Sequence, residues 1–329
     1  MDRRIFMKSL TGLTAGVMLT NSSDSAQQTV LPGDKLGKLL PTRKLGKTGE
    51  AVTMLGVGGW HIGRMNEKEA QKTIEIAIKG GVRFFDSAES YQDGGSESRL
   101  GKLLVPKYRD QIFIMTKSAA RDAGTAKQHL DASRKRLKTD QLDLWQVHNV
   151  TSAQDVDQCI QNGVFDVMQE AKAIGKTRYI GFTGHTQPSA HLRLLDQSGI
   201  FDVCQMPVNV ADLSYKSFVR EILPKLIDRG IGILAMKTLA NGGFFGGSEH
   251  GEHGNRPKVV PNRITIAEAI NFVWSLPIST LISGPDDAAQ MQEKIDLAES
   301  FSVMDESTRQ TLVEQVADIA GQNVEFYKA

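Results

Sequence analysis

Cysteine is almost absent from this chain, with only Cys159 and Cys204 among 329 residues. Two thiols cannot build a disulfide framework or a cysteine-rich metal centre, and burial as free thiols is their ordinary fate. A charge excess is missing too: 39 Lys and Arg stand against 38 Asp and Glu, a formal net charge of +1. Nucleic-acid binders gather a basic surplus on one face, so that class is excluded. No apolar run reaches the ~20 residues that span a bilayer, which argues against stable membrane insertion. No G-x-G-x-x-G joins a first strand to a helix, as a doubly wound dinucleotide fold would require. What is present is 40% hydrophobic and 23% charged residues, a globular mixture rather than a disordered one. The expectation is one folded core, most simply an enzyme.

The opening residues stand apart. Arg3-Arg4 precede Ile5-Phe6, a weakly apolar, Gly- and Thr-rich stretch follows over residues 9–20, and a small polar segment runs over 21–28. This is a secretory signal layout, and the arginine pair resembles the twin-arginine type, whose cargo is exported already folded. An amphipathic helix with a chance arginine pair is the alternative. The division expected is a signal peptide at 1–26, a linker at 27–41 and a single domain at 42–329. It implies the twin-arginine export machinery as partner and a periplasmic destination, or a cytoplasmic one if the leader reading fails.

From residue 42 a small hairpin (42–45 with 51–53) comes first. One unit then repeats: a short β-branched apolar run, a turn and an amphipathic helix. Strands are expected at 54–57, 83–85, 112–116, 142–148, 179–183, 203–206, 231–236 and 281–283, with helices between them. Eight is the number that closes a (β/α)8 TIM barrel, and an open doubly wound sheet is the alternative. A further helix at 306–319 and a polar tail to Ala329 lie outside the eight units.

Barrel chemistry sits where strands end. The second strand runs into Phe85-Asp86-Ser87-Ala88-Glu89-Ser90-Tyr91, the third into Met115-Thr116-Lys117, and the fourth into Gln146-Val147-His148. Each polar residue alone has a plain alternative: a turn cap, a solvated lysine, a core histidine. At three successive strand ends they form one set. Lys117 can stabilise the Tyr91 phenolate, Asp86 can hold the ammonium, and His148 can orient a substrate oxygen, which is equipment for protonating a carbonyl.

Asp86 to Tyr91, followed by Gly94-Gly95-Ser96-Glu97, resembles the signature of the aldo/keto reductase family. The likeness continues through the opening hairpin (44–49), Met115-Thr116-Lys117, His148, the run 176–181, Gln205 and the run 230–235. It implies a barrel binding NADP(H) or NAD(H) without a Rossmann domain, with Asp86, Tyr91, Lys117 and His148 as catalytic tetrad and Tyr91 as general acid/base. The implied substrate is a small carbonyl compound or alcohol. Cofactor contacts carry over to Gly59, Trp60, Thr183, Gln205, Met236, Lys237, Leu239, Gly284, Asp286, Asp287, Gln290 and Lys294. No metal is implied. A low-turnover nicotinamide-binding sensor, or a cofactor-free lyase, is the alternative on the same fold.

The sequence departs from the family pattern where the nicotinamide amide is held. Thr183-Gly184 replace a Ser-Asn pair, and Met236 replaces a stacking aromatic residue. Lys237 is placed to meet a pyrophosphate, unless it is merely solvated. Gln290 stands where an arginine is frequent, and Asp286-Asp287 sit beside it. Those carboxylates oppose a 2′-phosphate, or cap the following helix, so the local charge leans towards NAD(H). The loop 241–262 carries two Glu and two His within 249–253, yet its glycines suit a mobile substrate lid better than a metal site.

Overall fold

Alternation along a strand sends every second side chain inward, and closing eight strands turns those side chains into one core. The structure is a computed structural model that describes residues 33–197, 199–245 and 263–329. The leader 1–26, residues 27–32 and most of the expected lid (246–262) lie outside the described residues. Two hairpins come first: β1 (Gly33–Asp34) with β2 (Gly37–Lys38), then β3 (Thr42–Lys44) with β4 (Ala51–Thr53). The barrel strands follow as β5 (Leu55–Gly58), β6 (Phe84–Asp86), β7 (Phe113–Ser118), β8 (Leu142–Val147), β9 (Thr177–Thr183), β10 (Val203–Pro207), β11 (Gly232–Met236) and β12 (Thr280–Ser283). They pair in parallel and in chain order, and β12 pairs back to β5. All eight expected strands are present, and the closed barrel replaces the open-sheet alternative.

Inward parity explains where polarity changes. Phe84, Met115, Leu144, Val203 and Leu234 form an apolar layer inside the barrel. Two residues further along the same strands stand Asp86, Lys117, Gln146, Gln205 and Met236. One face of each strand therefore runs from core to chemistry in a single step of two residues. The β3–β4 hairpin plugs the opposite end, where its Leu45 and Val52 are buried against the apolar layer. Gly46 makes that plug fit. Its φ is +54°, and a Cβ there would lie 2.4 Å from the Gly230 carbonyl oxygen.

Residues 33–41 correct the expectation of a linker. Arg83 is 5% exposed and grips Asp34 with Nε at 2.7 Å and Nη2 at 2.9 Å, so β1 and β2 belong to the folded body. The helix Glu306–Val316 is as expected, but the tail beyond it is not a loose appendage: Glu325 and Lys328 are both fully buried. Cys159 and Cys204 are free and buried. No helix among the described residues is long and apolar enough to cross a membrane.

Candidate active site

Asp86 is the last residue of β6, and Lys117 the next to last of β7. Tyr91 is followed by a tight turn: Gln92, Asp93 and Gly94 all have positive φ (49°, 52° and 84°), and at the two non-glycine positions such strain persists only where surroundings enforce it. The Lys117 ammonium spends its three protons locally. It donates to Asp86 Oδ1 at 2.5 Å, the Ser87 carbonyl at 2.7 Å and the Tyr91 hydroxyl at 3.3 Å. Asp86 and Lys117 are 3% and 1% exposed, so this ion pair is desolvated and its geometry is held by hydrogen bonds on both partners.

Burial raises the Asp86 carboxyl above its ordinary pKa, against the pull of Lys117. Burial would discharge Lys117, but Asp86 and Tyr91 beside it outweigh that and raise its pKa, so it stays an ammonium. The Tyr91 phenol differs from the expectation of a lowered pKa. Lys117 does pull it down, but burial pushes it up by more, and the net direction is up. Tyr91 is therefore a fully protonated donor. For His148, burial first and the Lys117 charge second hold the imidazole well below the usual histidine range, so it is neutral.

His148 is the first residue past β8. Its ring lies edge-on to that of Tyr91, with centroids 5.8 Å apart, and Ser90 Oγ stands 3.5 Å from its Nδ1. Two residues that the sequence did not single out hold this turn. Arg121 Nη2 donates to the carbonyls of His148 (3.1 Å) and Asn149 (3.3 Å), and Asp155 clasps the same guanidinium at 2.5 and 3.0 Å. Arg121 follows β7 and Asp155 lies in the first turn of the helix Ala153–Gln161, so both charges were visible in the chain, but their pairing was not.

A cleft beside Tyr91 collects many of the expected cofactor residues: Trp60, Gln205, Met236, Lys237, Leu239, Gly284, Asp286, Gln290 and Lys294 line it. His61, not foreseen, lines it too and places Nε2 3.7 Å from Asp286 Oδ1. Gly59, Thr183 and Asp287 do not line it. Gly59 packs on β6, where a Cβ would lie 2.2 Å from the Asp86 carbonyl oxygen. Thr183 is buried at the end of β9. Asp287 is the N-cap of the helix Ala288–Glu299, accepting from the Gln290 amide at 2.8 Å. The adjacent Asp286 is bonded to the Gln290 side chain and faces the cleft. Capping thus holds for one aspartate of the pair.

Lys237 is not merely solvated. It is half-buried and donates to Asn241 Oδ1 at 2.9 Å, and burial followed by the nearby Lys117 charge brings it down to about 7. Lys294 is 5% exposed and donates to Glu293 at 2.5 Å. Gly184 leaves no room for the missing asparagine, since a Cβ there would meet the Val150 carbonyl oxygen at 2.4 Å. Gln205 Oε1 is buried in the cleft with no hydrogen-bond partner. An orphaned amide oxygen on a cleft-lining residue fits a ligand N–H, such as that of a carboxamide.

These strand ends are matched by a known family. The model of the aldo/keto reductase family covers residues 54–317. The chain belongs to the aldo/keto reductase family. Relatives include the L-galactose dehydrogenase of Arabidopsis thaliana, 30% identical over 220 residues (61% of this chain, 66% of that one). An aldo-keto reductase of Bacillus subtilis is 30% identical over 216 residues (59% and 61%). The D-threo-aldose 1-dehydrogenase of a Pseudomonas species is 24% identical over 276 residues (70% and 80%). The alignments to the first two thus span just under two thirds of those relatives. The holo form of an aldo-keto reductase from Bacillus halodurans superposes with a TM-score of 0.72 at 20% identity, covering 84% of this chain and 96% of its own, a likeness of fold.

Proposed function

We propose that the protein reduces an aldehyde or ketone, or oxidises the corresponding alcohol, with a nicotinamide dinucleotide. The observation that carries this reading is the buried Lys117 ammonium, shared between Asp86 and the Tyr91 phenol at the barrel mouth. Tyr91 donates the proton to the carbonyl oxygen, and in the alcohol direction accepts it. Lys117 stabilises the phenolate left behind, and Asp86 keeps Lys117 charged. Neutral His148 hydrogen-bonds the substrate oxygen and orients it towards the phenol.

The cleft suits the cofactor on its own donor set. Gln205 would take the carboxamide, Met236 would pack on the ring, Lys237 would meet the phosphates, and Asp286 would hydrogen-bond a free ribose hydroxyl. The dinucleotide supplies or accepts the hydride when bound. With Asp286 and Gln290 together on the cleft wall, NAD(H) is accepted and NADP(H) is favoured less than is common in the family. A panel of aldehydes and ketones assayed with NADH and NADPH, with Tyr91→Phe as control, tests the reading. Substrate-independent silence of both cofactors in the wild type would overturn it and favour a low-turnover role.

The same reading extends to export. Arg3-Arg4 and the weakly apolar stretch after them support a twin-arginine leader, and folding around the cofactor before export would supply it in the periplasm. Periplasmic recovery of a shortened wild-type chain, with Arg3→Lys/Arg4→Lys retained inside, is the expected result. Equal cytoplasmic recovery of both would refute it.

A further inference from the structure

Residues 324–329 enter the barrel mouth, although along the chain they read as a polar tail. The Lys328 ammonium is fully buried, paired with Asp212 at 2.6 Å and Glu325 at 2.8 Å, and it donates to the Tyr215 carbonyl at 2.8 Å. Asn209, just past β10, donates from Nδ2 to Glu325 Oε1 and to the Tyr327 phenol oxygen, both at 2.9 Å. The Tyr327 hydroxyl in turn donates to Glu325 Oε1 at 2.8 Å. Both ends of the Tyr327 residue are therefore fixed, because its carbonyl also lies 3.1 Å from His185 Nδ1 in the loop after β9.

The ring between those ends faces the loop after β11. Lys237 Nζ lies 5.7 Å from the Tyr327 ring centroid, within cation–π range. That loop does not hold its shape by local preference. Lys237, Ala240 and Asn241 all carry positive φ (60°, 50° and 54°), a conformation that side chains other than glycine's adopt only when held. Gly243 in the same loop touches the tail so closely that a Cβ would lie 2.0 Å from the Val324 carbonyl oxygen. Loop and tail are packed as one piece.

We propose that Tyr327 is a positioning residue for Lys237, its ring holding the ammonium at the phosphate side of the dinucleotide cleft, so that residues 324–329 belong to the cofactor-binding apparatus. This rests on the nicotinamide-cofactor reading above. A buried clamp of Lys328, Asp212 and Glu325 would by itself explain stability, but not the placement of a π face against the one cleft-lining cation whose partner in the described residues is a neutral amide.

The test is NADH and ADP-ribose binding by calorimetry at pH 6, where Lys237 is predominantly an ammonium, on wild type, Tyr327→Phe, Tyr327→Leu, Lys237→Met and the double variant Tyr327→Leu/Lys237→Met. Tyr327→Leu should weaken both ligands about tenfold, while Tyr327→Phe, which keeps the ring, stays within about threefold. In the Lys237→Met background, Tyr327→Leu should add less than about twofold, because the two residues act through one contact. A loss below threefold for Tyr327→Leu, or effects that simply multiply in the double variant, overturns the proposal. If the leucine variant does not fold, Tyr327→Met, which fills similar space without a π face, takes its place under the same criteria. A wild type that binds neither NADH nor NADPH sinks the cofactor reading and this proposal with it. A wild type that binds while Tyr327→Leu binds equally sinks this proposal alone.

Discussion

Strands β6 to β8 deliver Asp86, Tyr91, Lys117 and His148, the four residues the proposed reduction uses, whereas β9 to β12 carry Gly184, Met236 and Gln290 where the family resemblance leads one to expect an asparagine, an aromatic residue and an arginine. The two halves of the mouth face different demands. Proton transfer needs a donor, its charge partner and an orienting group within hydrogen-bond reach of one atom, so no member can be exchanged without losing the step. A dinucleotide is held by many contacts of modest worth, so single contacts can change if neighbours compensate. At Gly184 the space an asparagine would need is taken by the Val150 carbonyl and the His191 ring.

The sharpest way to break this contrast is Tyr91→Phe. Carbonyl reduction should fall at least about 10²-fold with NADH affinity within a few-fold of wild type. Activity within tenfold of wild type would remove Tyr91 from its role. Next, Lys117→Met should lower the rate and also move its pH dependence. Reduction is lost as pH rises through the Tyr91 pKa, and the Lys117 charge depresses that pKa. Removing the charge therefore shifts the alkaline limb to higher pH, and an unmoved limb in the rate profile would count against the assignment.

The second half yields smaller effects. Restoring the family residue with Gly184→Asn should cost stability, about 1–3 kcal/mol as an overpacked site, seen as a lowered thermal midpoint. A variant as stable as wild type with tighter NADH binding would show that the missing contact had gone uncompensated. For cofactor choice, wild type should bind NADPH less than 100-fold more tightly than NADH, a gap below about 2.7 kcal/mol. Asp286→Ser should shift the ratio of dissociation constants towards NADPH. Its neighbour acts differently: Asp287→Ala should cost about 1 kcal/mol of stability by removing the N-cap and leave the ratio within about twofold. Equal shifts from both aspartates would erase the distinction drawn between them.

Much of the catalytic half was legible along the chain because its signals are local. The parity that buries Phe84 puts Asp86 inside two residues later, and the same step links Met115 to Lys117. The cofactor half was legible in residue type but not in role. Asp286 and Asp287 are identical neighbours, and only the path of the following helix decides that one caps it while the other faces the cleft. Lys237 left two readings open along the chain, a phosphate contact or a solvated cation, and its burial in the closed barrel removes the second.

What the sequence by itself determined is the set of eight alternating strands, the hairpin over residues 42–53 that precedes them, and the polar residues delivered at three consecutive strand ends. Those depend on a repeat of two residues and on turn chemistry, which act between near neighbours. Only the tertiary structure decided the pairing of Arg121 with Asp155 behind His148, the burial of Lys328 between Asp212 and Glu325, and the net rise of the Tyr91 pKa. Lys328 and Asp212 lie 116 residues apart, and no periodicity links them. Desolvation, likewise, belongs to no single residue: it is set by how much water the whole assembled mouth excludes.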